Sequence, residues 1–429
     1  MIGEEWMLLA GAAGALAAGG VTQQHQRRRS VRRAAAEVRL SGYGPRVLIL
    51  SASIGGGHNA AAAVLRSEFE HAGYSVAVLD GFALATPLLS RYFAWSYPVQ
   101  LRYVPWLYDI EFWSSHRRLL ARFWRHVYAT LSGAAFRALV EALRPELVVS
   151  TYPIVTQALG VLRRTGRLMV PTVAVVTDYG VHRMWTAPGI DLHLVPSRAS
   201  ALQVDEANGP VRVMRPLVRR AFLEPRDRDA ARRRFGFGPD EFVALVVAGA
   251  WGIGRVELIV RDVAACGVRT VVVCGRNRVL AERLHREHAG NPAVQIMGWT
   301  DELPELMAAA DCLVQNAGGL TCLEAIASGL PIVIYRPITG HGIFNARTME
   351  QAGVARWIRS AAELQRVLQA AAAGMEPLPR PRIDDEAVPA IQAILELLDE
   401  VKGRRVDERV GAAAVVDRRL MIGPDSFRW

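Results

Sequence analysis

The sequence predicts an α/β fold of two doubly wound domains facing across a cleft, and three observations carry that prediction. Short continuous runs of Val, Ile and Leu alternate with amphipathic helical stretches, as in a parallel sheet covered on both faces. A strand-free segment rich in Arg, Asp and Pro, Arg215–Glu241, separates one such series from a second and reads as an interdomain connection. The chain has 429 residues, room for two to four domains at roughly 100 to 200 residues each.

Taken in order, Trp6 to Val21 carry no charge but number 16 and are mostly Ala and Gly, short of the about 20 apolar residues of a spanning helix. Glu4 and Glu5 precede this stretch and Arg27, Arg28, Arg29, Arg32 and Arg33 follow it, the reverse of a secretory signal. Residues 1–44 therefore read either as a membrane anchor, which would leave the arginines and all that follows in the cytoplasm, or as a loose Ala/Gly helix. The first domain, 45–215, opens with a buried strand at Arg46–Ala52 (RVLILSA). A helix at Asn59–His71 ends near Gly73, and strands are expected at Ser75–Leu79, Leu147–Thr151 and Thr172–Thr177. After the connection, 216–241, the second domain, 242–382, holds strands at Val243–Ala248, Thr270–Cys274 and Cys312–Val314, with Pro331–Tyr335 last. A C-terminal helix is expected over 383–402, and the tail 403–429 has no pattern.

With 51% hydrophobic and 21% charged residues the composition is that of a globular protein, not a disordered one. Cys266, Cys274, Cys312 and Cys322 lack CxxC spacing, so neither a disulfide framework nor a zinc module is indicated, and no cluster of metal-ligand residues stands out. The formal charge of +10 comes almost wholly from arginine, Lys402 being the sole lysine, and suits an anionic partner.

In such sheets ligands sit beyond the carboxyl ends of the strands. Ser51–Asn59 (SASIGGGHN) lies between a strand and an Ala-rich helix; Gly55, Gly56 and Gly57 permit close approach to the backbone, and the helix start supplies unpaired N–H groups. The spacing is neither GxGxxG nor a Walker loop, which argues against ATP hydrolysis. His58, in the first helical turn, would be kept neutral by the helix dipole and available as a general base; it could equally cap or pack. In the second domain, Gly318 and Gly319 precede a helix that starts near Leu320 or Thr321 and places Glu324 in or just past its first turn. A carboxylate there suits a ribose diol, or simply complements the dipole. Gly249–Gly254 (GAWGIG), with Gly249 and Gly252, is a second glycine loop. Gly340–Ala346 (GHGIFNA) directs His341 and Asn345 to the cleft rim, unless both are ordinary loop and cap residues.

Together GGGH, the TDY of Asp178 with His182 and Trp185 after it, GWTDELPELMAAADCLV and GGLTCLEAIASGLP resemble the monogalactosyldiacylglycerol synthase and processive diacylglycerol glycosyltransferase group, from about Arg46 to about Leu398. The resemblance extends to the broader GT-B transferases. It implies a GT-B fold and an inverting transfer from a UDP-sugar, with no cofactor and no metal, the donor in the second domain and the acceptor in the first. It implies His58 as general base within the Gly55–Gly57 loop, with Asp178 orienting it. It also implies Glu324 on the ribose, Gly318, Gly319 and Thr321 at the diphosphate, Trp299 beside the uracil pocket and Asn277 in a donor-side motif. Two departures stand out: Gly340-His341-Gly342 replaces a Gly-Gln-Glu run that touches sugar hydroxyls in relatives, and Asn316-Ala317 replaces a lysine-containing pair. The missing positive charge would have to come from elsewhere, with Arg276 and Arg255 as candidates.

The segment Phe82–Phe136 spans 55 residues and holds 14 of the 32 aromatic residues, with Trp95, Trp106, Trp113 and Trp124 among them. Its arginines, Arg91, Arg102, Arg117, Arg118, Arg122 and Arg125, outnumber Asp109 and Glu111. Rings at headgroup level with arginines on anionic phosphates would make an interfacial membrane contact; a satellite core is the alternative, and no nucleic-acid motif accompanies the aromatics. The expected partners are therefore a UDP-sugar donor, a lipid acceptor and an anionic membrane surface, at the cytoplasmic face of the plasma membrane. A UDP-sugar 2-epimerase and a non-catalytic nucleotide-sugar-binding protein are the competing readings.

Overall fold

The computed structural model describes Val31, residues 33–38 and residues 46–403. The apolar stretch Trp6–Val21, its basic cluster apart from Arg33, and the tail from 404 onward lie outside the described residues. Two six-stranded, wholly parallel sheets form the frame.

The first sheet runs β2-β1-β3-β4-β5-β6. Its strands are β1 (Val47–Ser51), β2 (Val76–Asp80), β3 (Leu147–Ser150), β4 (Thr172–Val175), β5 (Leu192–Val195) and β6 (Val211–Val213). Strand order reverses between β1 and β3, so the crevice at their carboxyl ends is the ligand position of a doubly wound sheet. Helix α1 (Gly57–His71) leaves β1 directly into it.

Between β2 and β3 the aromatic segment folds into four helices, α2 (Gly81–Ala85), α3 (Pro87–Tyr103), α4 (Pro105–His116) and α5 (Arg118–Leu143). Proline opens α3 and α4 at the position where a missing N–H costs nothing. The two expectations for this segment divide along the chain. The second half of α5 buries Phe136, Leu139 and Leu143 in the core with α6 (Pro153–Arg164), whereas α4 buries no residue, and Trp95 and Trp106 are 65% and 62% exposed.

The second sheet runs β12-β11-β10-β7-β8-β9, with β7 (Val243–Val247), β8 (Arg269–Val273), β9 (Val294–Met297), β10 (Cys312–Gln315), β11 (Ile332–Tyr335) and β12 (Arg356–Ile358). Its switch point falls between β7 and β10, where the GAWGIG loop and the Gly318-Gly319 turn emerge. Four strands were not expected from the sequence: β5, β6, β9 and β12, the last correcting Pro331–Tyr335 as the final strand. Each has three or four residues, and His193, Arg212, Gln295 and Arg356 interrupt the apolar runs.

The presumed connection is also more ordered than expected. After the short helix α7 (Arg198–Ala201), helix α8 (Arg228–Phe235) packs on α11 (Leu303–Ala309). The buried Arg232 donates to Gly238 O at 3.1 Å and Ala309 O at 2.9 Å, so this stretch belongs to the second domain. The C-terminal helix occupies 390–403, starting later than expected, and places Ala390, Ala393, Ile394 and Leu398 against β1 and α1. The chain thus crosses to the second domain and returns to the first.

Candidate active site

Both carboxyl-end crevices open into one interdomain cleft of about 1830 Å³. On the first-domain side Gly55 takes φ 74°, a left-handed conformation that glycine adopts without strain. A methyl group on Gly56 would lie 3.2 Å from Ala250 Cβ, and one on Gly57 3.6 Å from Leu320 Cβ, so this loop sits against the glycine loops of the second domain.

His58 follows, half-buried, its ring 5.0 Å from that of Tyr152 and 5.6 Å from that of Trp185. Nδ1 lies 3.2 Å from Thr177 Oγ1. Donation from Nδ1–H to that hydroxyl leaves Nε2 bare for a proton. Burial pushes the His58 pKa below the usual histidine value, against an opposing pull from the Asp178 charge. Asp178 does not orient the ring by contact: its Oδ2 accepts from Trp185 Nε1 at 3.0 Å and its Oδ1 from Asn345 Nδ2 at 3.4 Å. Thr177, which sequence reasoning passed over, makes the contact expected of Asp178.

On the second-domain side, α12 (Gly319–Ala327) starts at the cleft with Gly318, Gly319 and Thr321 lining it. A methyl group on Gly319 would come 2.7 Å from Thr177 O, so only glycine lets this helix end meet β4 so closely. Glu324 is 7% exposed, lines the cleft and has its pKa pushed up to about 7 by burial, with Arg219 opposing. Trp299 is 55% exposed at the cleft with the Arg276 guanidinium 4.6 Å above its ring.

Three expected donor residues stand elsewhere. Asn277 caps α10 (Arg278–Glu287), accepting from Leu280 N at 3.0 Å, and donates to Trp251 O at 3.2 Å. Gly252 packs against it and neither lines the cleft, whereas Gly249 does. Asn345, 1% exposed in α13 (His341–Gln351), joins the domains by accepting from Gly180 N at 2.7 Å and donating to Ala317 O at 3.2 Å. The positive charge also moves: neither Arg276 nor Arg255 lines the cleft, and among the described residues the arginines that do are Arg215, Arg219 and Arg220. Arg220 is paired with Glu224, while among the described residues Arg219 has no carboxylate in salt-bridge contact. These arginines were legible only as part of a charged linker.

His341 lines the cleft between the two sides, with Nδ1 3.1 Å from the Tyr108 hydroxyl and Nε2 3.5 Å from that of Tyr97. Among the described residues no group of three or more His, Cys, Asp or Glu is placed to hold a metal ion, and no helix is long and apolar enough to cross a membrane.

Residues 58–210 match the family model for monogalactosyldiacylglycerol (MGDG) synthase, and residues 246–385 match the glycosyltransferase family 28 C-terminal domain. The chain is a glycosyltransferase of the GT-B architecture. The glycosyltransferase is 28% identical over 316 residues to the processive diacylglycerol beta-glucosyltransferase of Bacillus licheniformis, spanning 72% of this chain and 82% of that one. It is 27% identical over 317 residues to the enzyme of the same name from Bacillus subtilis, with the same coverage. The solved structure of MurG from Acinetobacter baumannii shares the fold, with a TM-score of 0.51 at 15% identity over 82% of this chain and 99% of that chain.

Proposed function

We propose that this glycosyltransferase moves a hexosyl group, with inversion, from a UDP-sugar to a hydroxyl of a membrane lipid, a diacylglycerol or related glycolipid, at the cytoplasmic face of the plasma membrane. The observation that carries the reading is that one cleft holds His58 on one wall, its pKa lowered by burial, and on the other the buried Glu324 carboxyl group beside an open helix N-terminus. The two family matches and the relatives named for diacylglycerol glucosyl transfer support the lipid acceptor. No observation favours an epimerase.

In this reading the acceptor hydroxyl gives its proton to His58 Nε2 as its oxygen bonds to the anomeric carbon. The bond from that carbon to the diphosphate oxygen breaks, and UDP leaves with the electron pair. One displacement from the far face inverts the carbon. The N-terminus of α12 and the Arg219 guanidinium meet the charge that develops on the diphosphate, Glu324 accepts from the ribose hydroxyls, and Trp299 borders the base. No metal ion has a role, so turnover should persist in excess chelator.

The exposed faces of α3 and α4 would rest on the membrane, with Arg91, Arg102 and Arg117 exposed beside Trp95 and Trp106 to meet anionic headgroups. Incubating the purified protein with a panel of UDP-hexoses and diacylglycerol-containing vesicles, followed by mass spectrometry of the lipids, tests the proposal. A lipid heavier by one or more hexosyl units supports it, whereas free hexose or an isomerised nucleotide sugar as sole product contradicts it.

A further inference from the structure

Resting on that reading, we propose that Tyr97 and Tyr108 of the first-domain insert form a clasp with His341 of the second domain, and that the two phenols, fixed by this imidazole, meet the donor sugar and discriminate among hexoses.

The clasp is built from both domains. The Asp109 carboxylate accepts from Gly340 N at 2.8 Å, fixing the turn that precedes His341. Gly340 has φ 66°, and a methyl group there would sit 2.7 Å from Tyr108 Cε1, so the insert lies directly on this turn. One turn further along α13, Phe344 meets the rings of Phe112, Trp113 and His116 at centroid distances of 6.3, 5.9 and 5.3 Å. The imidazole is therefore held at both nitrogens and along its helix by groups of the other domain.

Its position bears on the sugar. His341 lines the same cleft as His58, Gly318 and Gly319, and the Asp178 charge acts on both imidazoles. A hexose whose diphosphate rests at the start of α12, with its anomeric carbon presented toward His58, passes this wall.

Burial keeps the His341 pKa below the usual value and holds both tyrosines protonated, so near neutral pH the set consists of a neutral imidazole and two phenols. One phenol donates to the bare ring nitrogen and the other accepts from the ring N–H. The accepting phenol keeps its own O–H for a sugar hydroxyl, while the donating phenol keeps lone pairs. A fixed pattern of one donor and one acceptor distinguishes hexoses that differ in the direction of a single hydroxyl.

The test uses Tyr108→Phe and Tyr97→Phe in the full chain, which keep the rings and remove the hydroxyls. Calorimetry with UDP, UDP-glucose and UDP-galactose is run beside steady-state kinetics. The expected result is a fall of about 3- to 15-fold in affinity for the preferred UDP-hexose and a narrowed ratio between the two hexoses, as loss of one hydrogen bond would give. Affinity for UDP alone should stay within about twofold, since UDP lacks the group the clasp reads, and the melting temperature reports folding. Unchanged hexose affinity and ratio in both variants would overturn the proposal, as would an equal loss for UDP and UDP-hexose, which would mark a general structural role. If the wild-type protein binds UDP but no UDP-hexose, the glycosyl-donor reading fails and the clasp proposal with it.

Discussion

At the scale of single residues, two ionisable groups lining one cleft are shifted in opposite directions, to suit different tasks. His58 has its pKa lowered by burial, so its base form is complete near neutrality. Turnover at saturating donor should stay flat from pH 8 down through about 6.5, the unperturbed histidine value, and fall only at lower pH; a rate still climbing through pH 8 would assign the base elsewhere. Glu324 is shifted the other way, to about 7. A carboxyl group whose folded pKa is raised binds its proton more tightly folded than unfolded, so its contribution to stability is greatest below the unfolded value and is lost as pH rises through about 7. Glu324→Gln should therefore melt higher than the parent at pH 8, by on the order of 1–3 kcal/mol of stability, with the difference shrinking as pH falls and vanishing below about 4.3, the unperturbed glutamate value. The same variant should weaken UDP binding by about 1.5–3 kcal/mol, the range for charge-assisted hydrogen bonds. Unaltered UDP affinity by calorimetry would remove Glu324 from the ribose.

At the scale of elements, α3 and α4 have two faces with different duties. Tyr97, Tyr108 and Phe112 face the cleft and α13, Tyr92 and Ile110 line the cleft while about half exposed, and Leu88, Trp95 and Trp106 are more than half exposed and outside its lining. Replacing Trp95 and Trp106 together by Ala should lower sedimentation with anionic liposomes, raise its salt sensitivity and leave the melting temperature unchanged. Equal sedimentation would place the contact elsewhere. Trp113 does not suit this test, because its ring packs on Phe112 and Phe344. The apolar strands β1, β3, β7 and β11 were legible because three or four consecutive Val, Ile and Leu, uninterrupted by a polar residue, admit few other buried arrangements. Edge strand β12 was not: Arg356–Ile358 offers three residues, and pairing with β11 supplies the order that its composition lacks. The glycine loops and helix starts of the site could be read locally. Thr177, Arg219 and the tyrosine clasp could not, because only tertiary packing brings residues 97, 108 and 341, or 58 and 177, together.

At the scale of the molecule, function depends on how closely the two domains meet. Gly180 sits where a methyl group would be 2.8 Å from the Phe344 ring, next to the Asn345 bridge. Gly180→Ala should hold the domains slightly apart, enlarging the radius of gyration in small-angle scattering and lowering kcat by ~10- to 100-fold. UDP affinity should change little, since the groups assigned to UDP sit in the second domain or its connection. Unchanged scattering with unchanged turnover would deny that closure matters here. The central claim, that His58 drives a single inverting transfer to a lipid hydroxyl, is tested most directly by the anomeric configuration and rate of the product. With an α-linked UDP-hexose and a diacylglycerol acceptor, nuclear magnetic resonance should show a β-hexosyl lipid formed with one UDP released per bond made. The rate should fall by ~10²- to 10⁴-fold in His58→Ala, with UDP affinity intact. An α-linked product, or a His58→Ala rate within about threefold of the parent's when the full acid–base range is expected, would contradict the account.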